Sequence, residues 1–134
     1  MNQDIQEPKK ILIVEDEELL AKVLQDEFSA AGFQVLLAHD GEDGLKQAQS
    51  YHPDIMLIDL QMPKMDGLTM LKQLREDATT QKIPVIVLTN VNDAETTAQA
   101  VLYQAYDYLL KTDWQPKDLV KRVKEKLHLI PESV

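Results

Sequence analysis

Residues 53–67 read PDIMLIDLQMPKMDG, and the fold turns on this stretch. Pro53 and Asp54 lead into four consecutive apolar residues, Ile55 to Ile58, closed by the carboxylate of Asp59. A short, continuous apolar run bounded by Pro and charge suits a parallel strand covered on both faces. Pro63 pre-sets a turn after it. Asp66 and Gly67 then open a segment in which Leu68, Leu71 and Leu74 recur at helical spacing. Gly67 is expected to supply a permissive backbone at that helix start.

The same strand–turn–helix unit recurs along the chain. Further β-branched or apolar runs are Ile11 to Val14, Gln34 to Ala38, Ile83 to Leu88 and Tyr108 to Leu110. Between them lie apolar stripes at helical spacing. Leu20, Val23, Leu24, Phe28 and Ala31 form the first, with Gly32 placed to end the helix. Leu45 and Ala48 mark a shorter helix ending by Pro53. Ala94, Ala98, Val101, Leu102 and Ala105 form another, and Leu119, Val123, Leu127 and Ile130 the last, with Pro116 in its first turn. Strict alternation of this kind predicts an α/β fold, a doubly wound sheet of five parallel strands, for which the order 2-1-3-4-5 is taken, one of the two common doubly wound orders. One domain over residues 1–134 is expected, with its core about 9–129 and loose ends at 1–8 and 131–134.

Composition narrows the function. The chain has 134 residues, so about two-thirds of its surface can be buried on folding without staples. It has no Cys, which excludes disulfides, thiolate metal sites and thiol nucleophiles. Lys and Arg total 14 against 23 Asp and Glu, a net charge of −9, which argues against direct binding of nucleic acid. Apolar runs of about four residues fall far short of the roughly twenty that a spanning helix needs. Residues 1 to 9 are polar and show no signal-peptide core, so a cytoplasmic location is expected.

In doubly wound sheets ligands bind beyond the carboxyl ends of the strands. Glu15 and Asp16 follow the first strand and Asp59 the third, and the predicted order makes those strands neighbours. Three carboxylates brought together repel by several kcal/mol at an intermediate dielectric, so protons or a cation must offset them. Oxygen ligands without His or Cys favour a hard ion, Mg²⁺ first, then Mn²⁺ or Ca²⁺. Thr89 ends the fourth strand and Lys111 the fifth. A hydroxyl and an ammonium there would complement an anion held by the metal.

With these motifs the sequence resembles the receiver domain of two-component response regulators, over about residues 9–129. ILIVEDE at 11–17, PDIMLID at 53–59, MPKMDG at 62–67, PVIVLT at 84–89 and DYLLK at 107–111 carry the likeness, in order and at matching separations. The resemblance implies the flavodoxin-like (βα)₅ form of the fold. It also implies that Asp59 accepts a phosphoryl group from the phosphohistidine of a sensor histidine kinase or histidine phosphotransfer protein. Asp16 would ligate Mg²⁺ directly, Glu15 through water, Asp59 by a carboxylate oxygen and Gln61 by its backbone carbonyl. Lys111 would pair with the phosphoryl oxygens and Thr89 would close on them. Tyr108 matches the aromatic that turns inward as that threonine moves, with an ordinary strand aromatic as the alternative. The helix 4–strand 5–helix 5 surface would then control a downstream protein, with a homodimer as one form of output.

Two positions depart from the family pattern. Thr112 stands where a cis proline usually follows the lysine, so a trans peptide and a reshaped loop are expected. Gln104 stands where Gly is common, and a left-handed backbone there would cost about 1 kcal/mol. These departures keep open a phosphorylation-independent pseudo-receiver acting as a scaffold. An aspartyl phosphatase is disfavoured because Gln61 replaces the general acid such enzymes place two residues after the nucleophile. The chain is therefore expected to be no enzyme, beyond slow loss of its own phosphoryl group. Nucleotide hydrolysis fails for want of a phosphate-binding glycine loop. Trp114 is read as packing over the start of the last helix, with a partner anchor as the alternative. His39, His52 and His128 are read as surface or packing residues.

Overall fold

The structure, a computed structural model, describes residues 7–132. Five units follow in order. They are β1 (Lys10–Val14), α1 (Glu18–Ala30), β2 (Gln34–Ala38), α2 (Gly41–Tyr51), β3 (Ile55–Ile58), α3 (Gly67–Glu76), β4 (Val85–Thr89), α4 (Ala94–Leu102), β5 (Asp107–Leu110) and α5 (Pro116–Lys126). The strands form one parallel sheet in the order β2-β1-β3-β4-β5, the expected flavodoxin-like topology. Most of the expected loose ends, residues 1–6 and 133–134, lie outside the described residues; Glu7, Pro8, Pro131 and Glu132 are exposed.

Side chains two apart on a strand share a face, and both faces here are apolar. Leu12, Val14, Met56, Ile58, Val85 and Val87 pack under α2, α3 and α4, through Ala48, Met70, Leu71, Leu74 and Ala100. Ile11, Ile13, Ile55, Leu57, Ile86 and Leu88 pack under α1 and α5, through Leu24, Phe28, Leu119 and Val123. Each such Val, Leu, Ile, Met or Phe side chain stabilises the fold by about 1.5–3 kcal/mol relative to exposure. Trp114 packs half-buried against the second cluster, the packing expected of it. His39, His52 and His128 are exposed.

Register is what positions the site. Val14 lies opposite Ile58 and Ala38, and Thr89 opposite Leu110. The residues that follow, Glu15, Asp59 and Lys111, therefore leave the sheet along one edge. Asp40, Asp66 and Asp93 cap α2, α3 and α4, each accepting an N–H at 2.8 Å.

Several helix details differ from expectation. In α1 the buried line is Ala21, Leu24 and Phe28, while Val23 is exposed, because one residue step carries it off the face that meets the sheet. In α4 the expected apolar stripe is not the buried face. Val101 and Leu102 are 64% and 71% exposed, and the helix rests on Ala100, with Thr96, Thr97 and Tyr103 half-buried beside it. The small Ala100 sets the contact, and the larger residues turn outward. Gln104 does take a left-handed backbone, φ 63°, and closes α4 through Gln104 N–H to Val101 and Ala105 N–H to Ala100. Arg75 locks that turn by donating to the carbonyls of Tyr103, Gln104 and Ile83.

Gly67 is required for space rather than for backbone freedom. A Cβ there would stand 2.4 Å from the carbonyl oxygen of Asp59 and 2.7 Å from Leu60 Cα. Backbone cannot yield cheaply, so Gly67→Ala is expected to lose about 1–3 kcal/mol in urea unfolding. Unchanged stability would mean that α3 can retreat from the strand-end loop.

Candidate functional site

The strand ladder runs on into the site. Glu15 N–H donates to Ala38 O at 2.9 Å, Asp59 N–H to Val14 O at 3.0 Å, and Lys111 N–H to Thr89 O at 2.9 Å. Three backbones are thus held before any side chain acts. Glu15 and Asp59 are almost fully buried, at 2% and 4% exposure, and Thr89 is fully buried.

The Lys111 ammonium stands among the acids. Its Nζ lies 2.9 Å from Asp59 Oδ2, 3.1 Å from Glu15 Oε1 and 2.5 Å from Glu17 Oε1. The Lys111–Thr112 peptide is trans, and Thr112 does not keep the lysine from reaching Asp59. Asp59 Oδ1 also accepts the Gln61 N–H at 3.2 Å, and Glu15 Oε2 accepts the Glu17 N–H at 3.1 Å.

The expected trio of acids was Glu15, Asp16 and Asp59. The structure brings together Glu15, Glu17 and Asp59, with ligand atoms all within 4.8 Å of one another, while Asp16 is exposed and outside that group. The reason is the period of an extended chain. Glu17 has extended backbone, φ −76° and ψ 109°, and residues two apart share a side. The Glu15–Glu17 spacing was the signal that could have found it. Gln61 is exposed and contributes its N–H to Asp59.

Thr89 and Tyr108 meet at one loop residue. Thr89 Oγ1 accepts the Val91 N–H at 3.3 Å, and the Tyr108 hydroxyl donates to Val91 O at 2.6 Å. Tyr108 is half-buried, its ring packed against the cluster under α4. Any movement of the loop after β4 is therefore felt by both side chains.

Burial pushes the Glu15 carboxyl up to about 7, and the Asp59 charge adds to it; the Glu17 N–H and Lys111 oppose it. Burial also works against the charge on Lys111, but its bonds to Glu17 and Asp59 and the fields of Asp59 and Glu15 outweigh that and raise its pKa. One ammonium among three carboxylates leaves the site short of positive charge. The donors are all oxygen, partly buried and within a few Å, so the set fits a hard divalent ion such as Mg²⁺.

A pH dependence follows with a definite sign. Between the ordinary carboxyl value of 4.5 and about 7, folded Glu15 binds a proton that unfolded Glu15 has released. Without divalent ions, stability should fall as pH rises through that window, by about 3 kcal/mol. Glu15→Gln should flatten the slope in urea titrations at successive pH values. Parallel slopes for the two proteins would contradict the assignment.

Comparison with known proteins agrees with this geometry. The family model for the response regulator receiver domain matches residues 11–124. The alkaline phosphatase synthesis transcriptional regulatory protein PhoP of Bacillus subtilis is 36% identical over 118 residues, covering 87% of this chain and 47% of that protein. The receiver domain of the Francisella response regulator 1452 superposes with a TM-score of 0.78 at 28% identity, covering 87% of this chain and 93% of that one. Chemotaxis protein CheY4 of Vibrio cholerae gives 0.81 at 26% identity, covering 88% and 98%. Parallel sheet order and an acid-and-lysine strand edge define the class, a two-component signalling module. The chain belongs to the response regulator receiver domain family. It spans about half the length of the first curated relatives it matches. Among the described residues no helix is long and apolar enough to cross a membrane.

Proposed function

We propose that this chain is a phosphoacceptor switch whose nucleophile is Asp59. The observation that carries the reading is the Lys111 ammonium 2.9 Å from Asp59 Oδ2, beside buried Glu15, at the carboxyl edge of the sheet. An Asp59 carboxylate oxygen forms the new O–P bond with the phosphoryl group of a donor phosphohistidine. The P–N bond breaks as it forms, its electron pair leaving with the imidazole. Little covalent chemistry is asked of the protein, so positioning and charge dominate.

Glu15 and Asp59 of that acid group, joined by the exposed Asp16 that lies between Glu15 and Glu17 in the chain and by the Gln61 backbone carbonyl, would hold Mg²⁺, with Mn²⁺ as the second choice, while Glu17 stays on Lys111. When bound, the ion offsets charge on the carboxylates and the phosphoryl oxygens. Lys111 orients and neutralises the phosphoryl oxygens. Thr89 donates its hydroxyl to them and gives up the Val91 N–H, and Tyr108, bonded to the same residue, follows the loop. The moving surface is α4–β5–α5, where Val101 and Leu102 are exposed. The donor partner is a sensor histidine kinase or histidine phosphotransfer protein, and the output is control of a downstream protein, in the cytoplasm and without direct nucleic-acid contact. A homodimer is one form that output can take. Turnover is confined to slow loss of the phosphoryl group to water. The receiver core, residues about 9–129, acts as a single domain.

The test is direct. The chain, Mg²⁺ and a small-molecule phosphodonor should give one added phosphoryl group per chain, labile to hydroxylamine as an acyl phosphate is, and absent in chelator. No adduct, or one that survives hydroxylamine, would overturn the reading.

A further inference from the structure

Glu17 stands at the N-cap of α1, yet its side chain makes no capping bond to the helix. It reaches instead to Lys111 Nζ, at 2.5 Å. An ammonium has three N–H donors. Here Glu15, Glu17 and Asp59 take one each. A phosphoryl oxygen arriving at Asp59 finds no donor left on Lys111. One acid must let go. Glu15 and Asp59 side chains are 3% and 5% exposed, whereas that of Glu17 is 59% exposed and can be released to water at little cost.

We infer that Glu17 is a positioning residue, a placeholder that occupies the third donor of Lys111 until a phosphoryl oxygen displaces it, and so restrains phosphorylation. This rests on the phosphoacceptor reading above. Two effects act in the same direction. The Glu17–Lys111 pair must break for Lys111 to turn to the phosphoryl group, and the Glu17 carboxylate repels an anionic donor approaching the same edge. Both belong to a partly exposed charge, so both are modest and are screened by salt.

The experiment compares the parent chain with Glu17→Gln in saturating Mg²⁺. Two quantities are read, the second-order rate constant with a small phosphodonor and the affinity for beryllium fluoride. At low ionic strength both should rise about threefold to fivefold in the variant. At about 0.5 M salt the gain should shrink to less than about twofold, which a purely structural effect would not do. Unchanged or lowered values, or a gain indifferent to salt, would overturn the inference. So would Mg²⁺ affinity falling more than about tenfold, which would make Glu17 a metal ligand instead. An adduct on the parent with no gain in the variant defeats only this inference; no adduct on the parent defeats the phosphoacceptor reading.

Discussion

Asp59→Asn is expected to abolish phosphoryl acceptance, lowering the rate by at least about 10³-fold, or roughly 4 kcal/mol in barrier. The amide has nearly the shape of the carboxylate, so Asn at this position can still accept the Gln61 N–H now bound at 3.2 Å. What it lacks is an anionic oxygen able to attack phosphorus. The fold should survive, since the substitution removes one of three carboxylates crowded within 4.8 Å. Glu15 should then titrate lower, because the Asp59 charge is among the causes holding it up. Mass spectrometry after reaction with the donor, with urea unfolding beside it, checks both halves. An adduct persisting on the folded variant would place the nucleophile elsewhere.

Lys111→Met carries the second large effect, and it falls on stability as well as on signalling. The lysine side chain is 11% exposed and is the cation paired to both buried acids. Removing one partner of a buried ionic group leaves uncompensated charge and costs about 3–5 kcal/mol. In chelator near pH 7.5 the variant should show that loss in urea unfolding. Near pH 5 the loss should be smaller, because Glu15, already pushed up to about 7, takes a proton instead. Mg²⁺ should restore more stability to the variant than to the parent, while phosphorylation no longer moves the loop that Thr89 and Tyr108 share. Equal stability of the two proteins in chelator would show that the lysine does not balance these acids.

Most of the architecture could be read from the chain because its signals are local. The runs Ile11 to Val14 and Ile55 to Ile58 match strands to within a residue. The fourth began two residues late, at Val85, because Pro84 has no N–H for the ladder and Ile83 N–H instead closes a turn to Thr80. Glu15, Asp59, Thr89 and Lys111 were legible as strand-end residues, and the structure brings Glu15, Asp59 and Lys111 together at that edge. Glu17 was passed over although its two-residue spacing from Glu15 carried a signal, since a Glu opening a helix usually reads only as a favourable first-turn charge. The exposure of Val101 and Leu102 was also hidden, since a stripe at helical spacing does not say which stripe a neighbour will choose.

From sequence alone came the five strand–helix units, their winding and the residues gathered at one edge, because apolar periodicity and strand-end chemistry are properties of short segments. Only the tertiary structure decided that Glu17 rather than Asp16 joins the buried acids, that Gly67 is needed for room beside Asp59, and that α4 rests on Ala100. Each of those depends on distances between segments far apart in the chain, where a single residue of register or a helix rotation of one step determines which atoms meet.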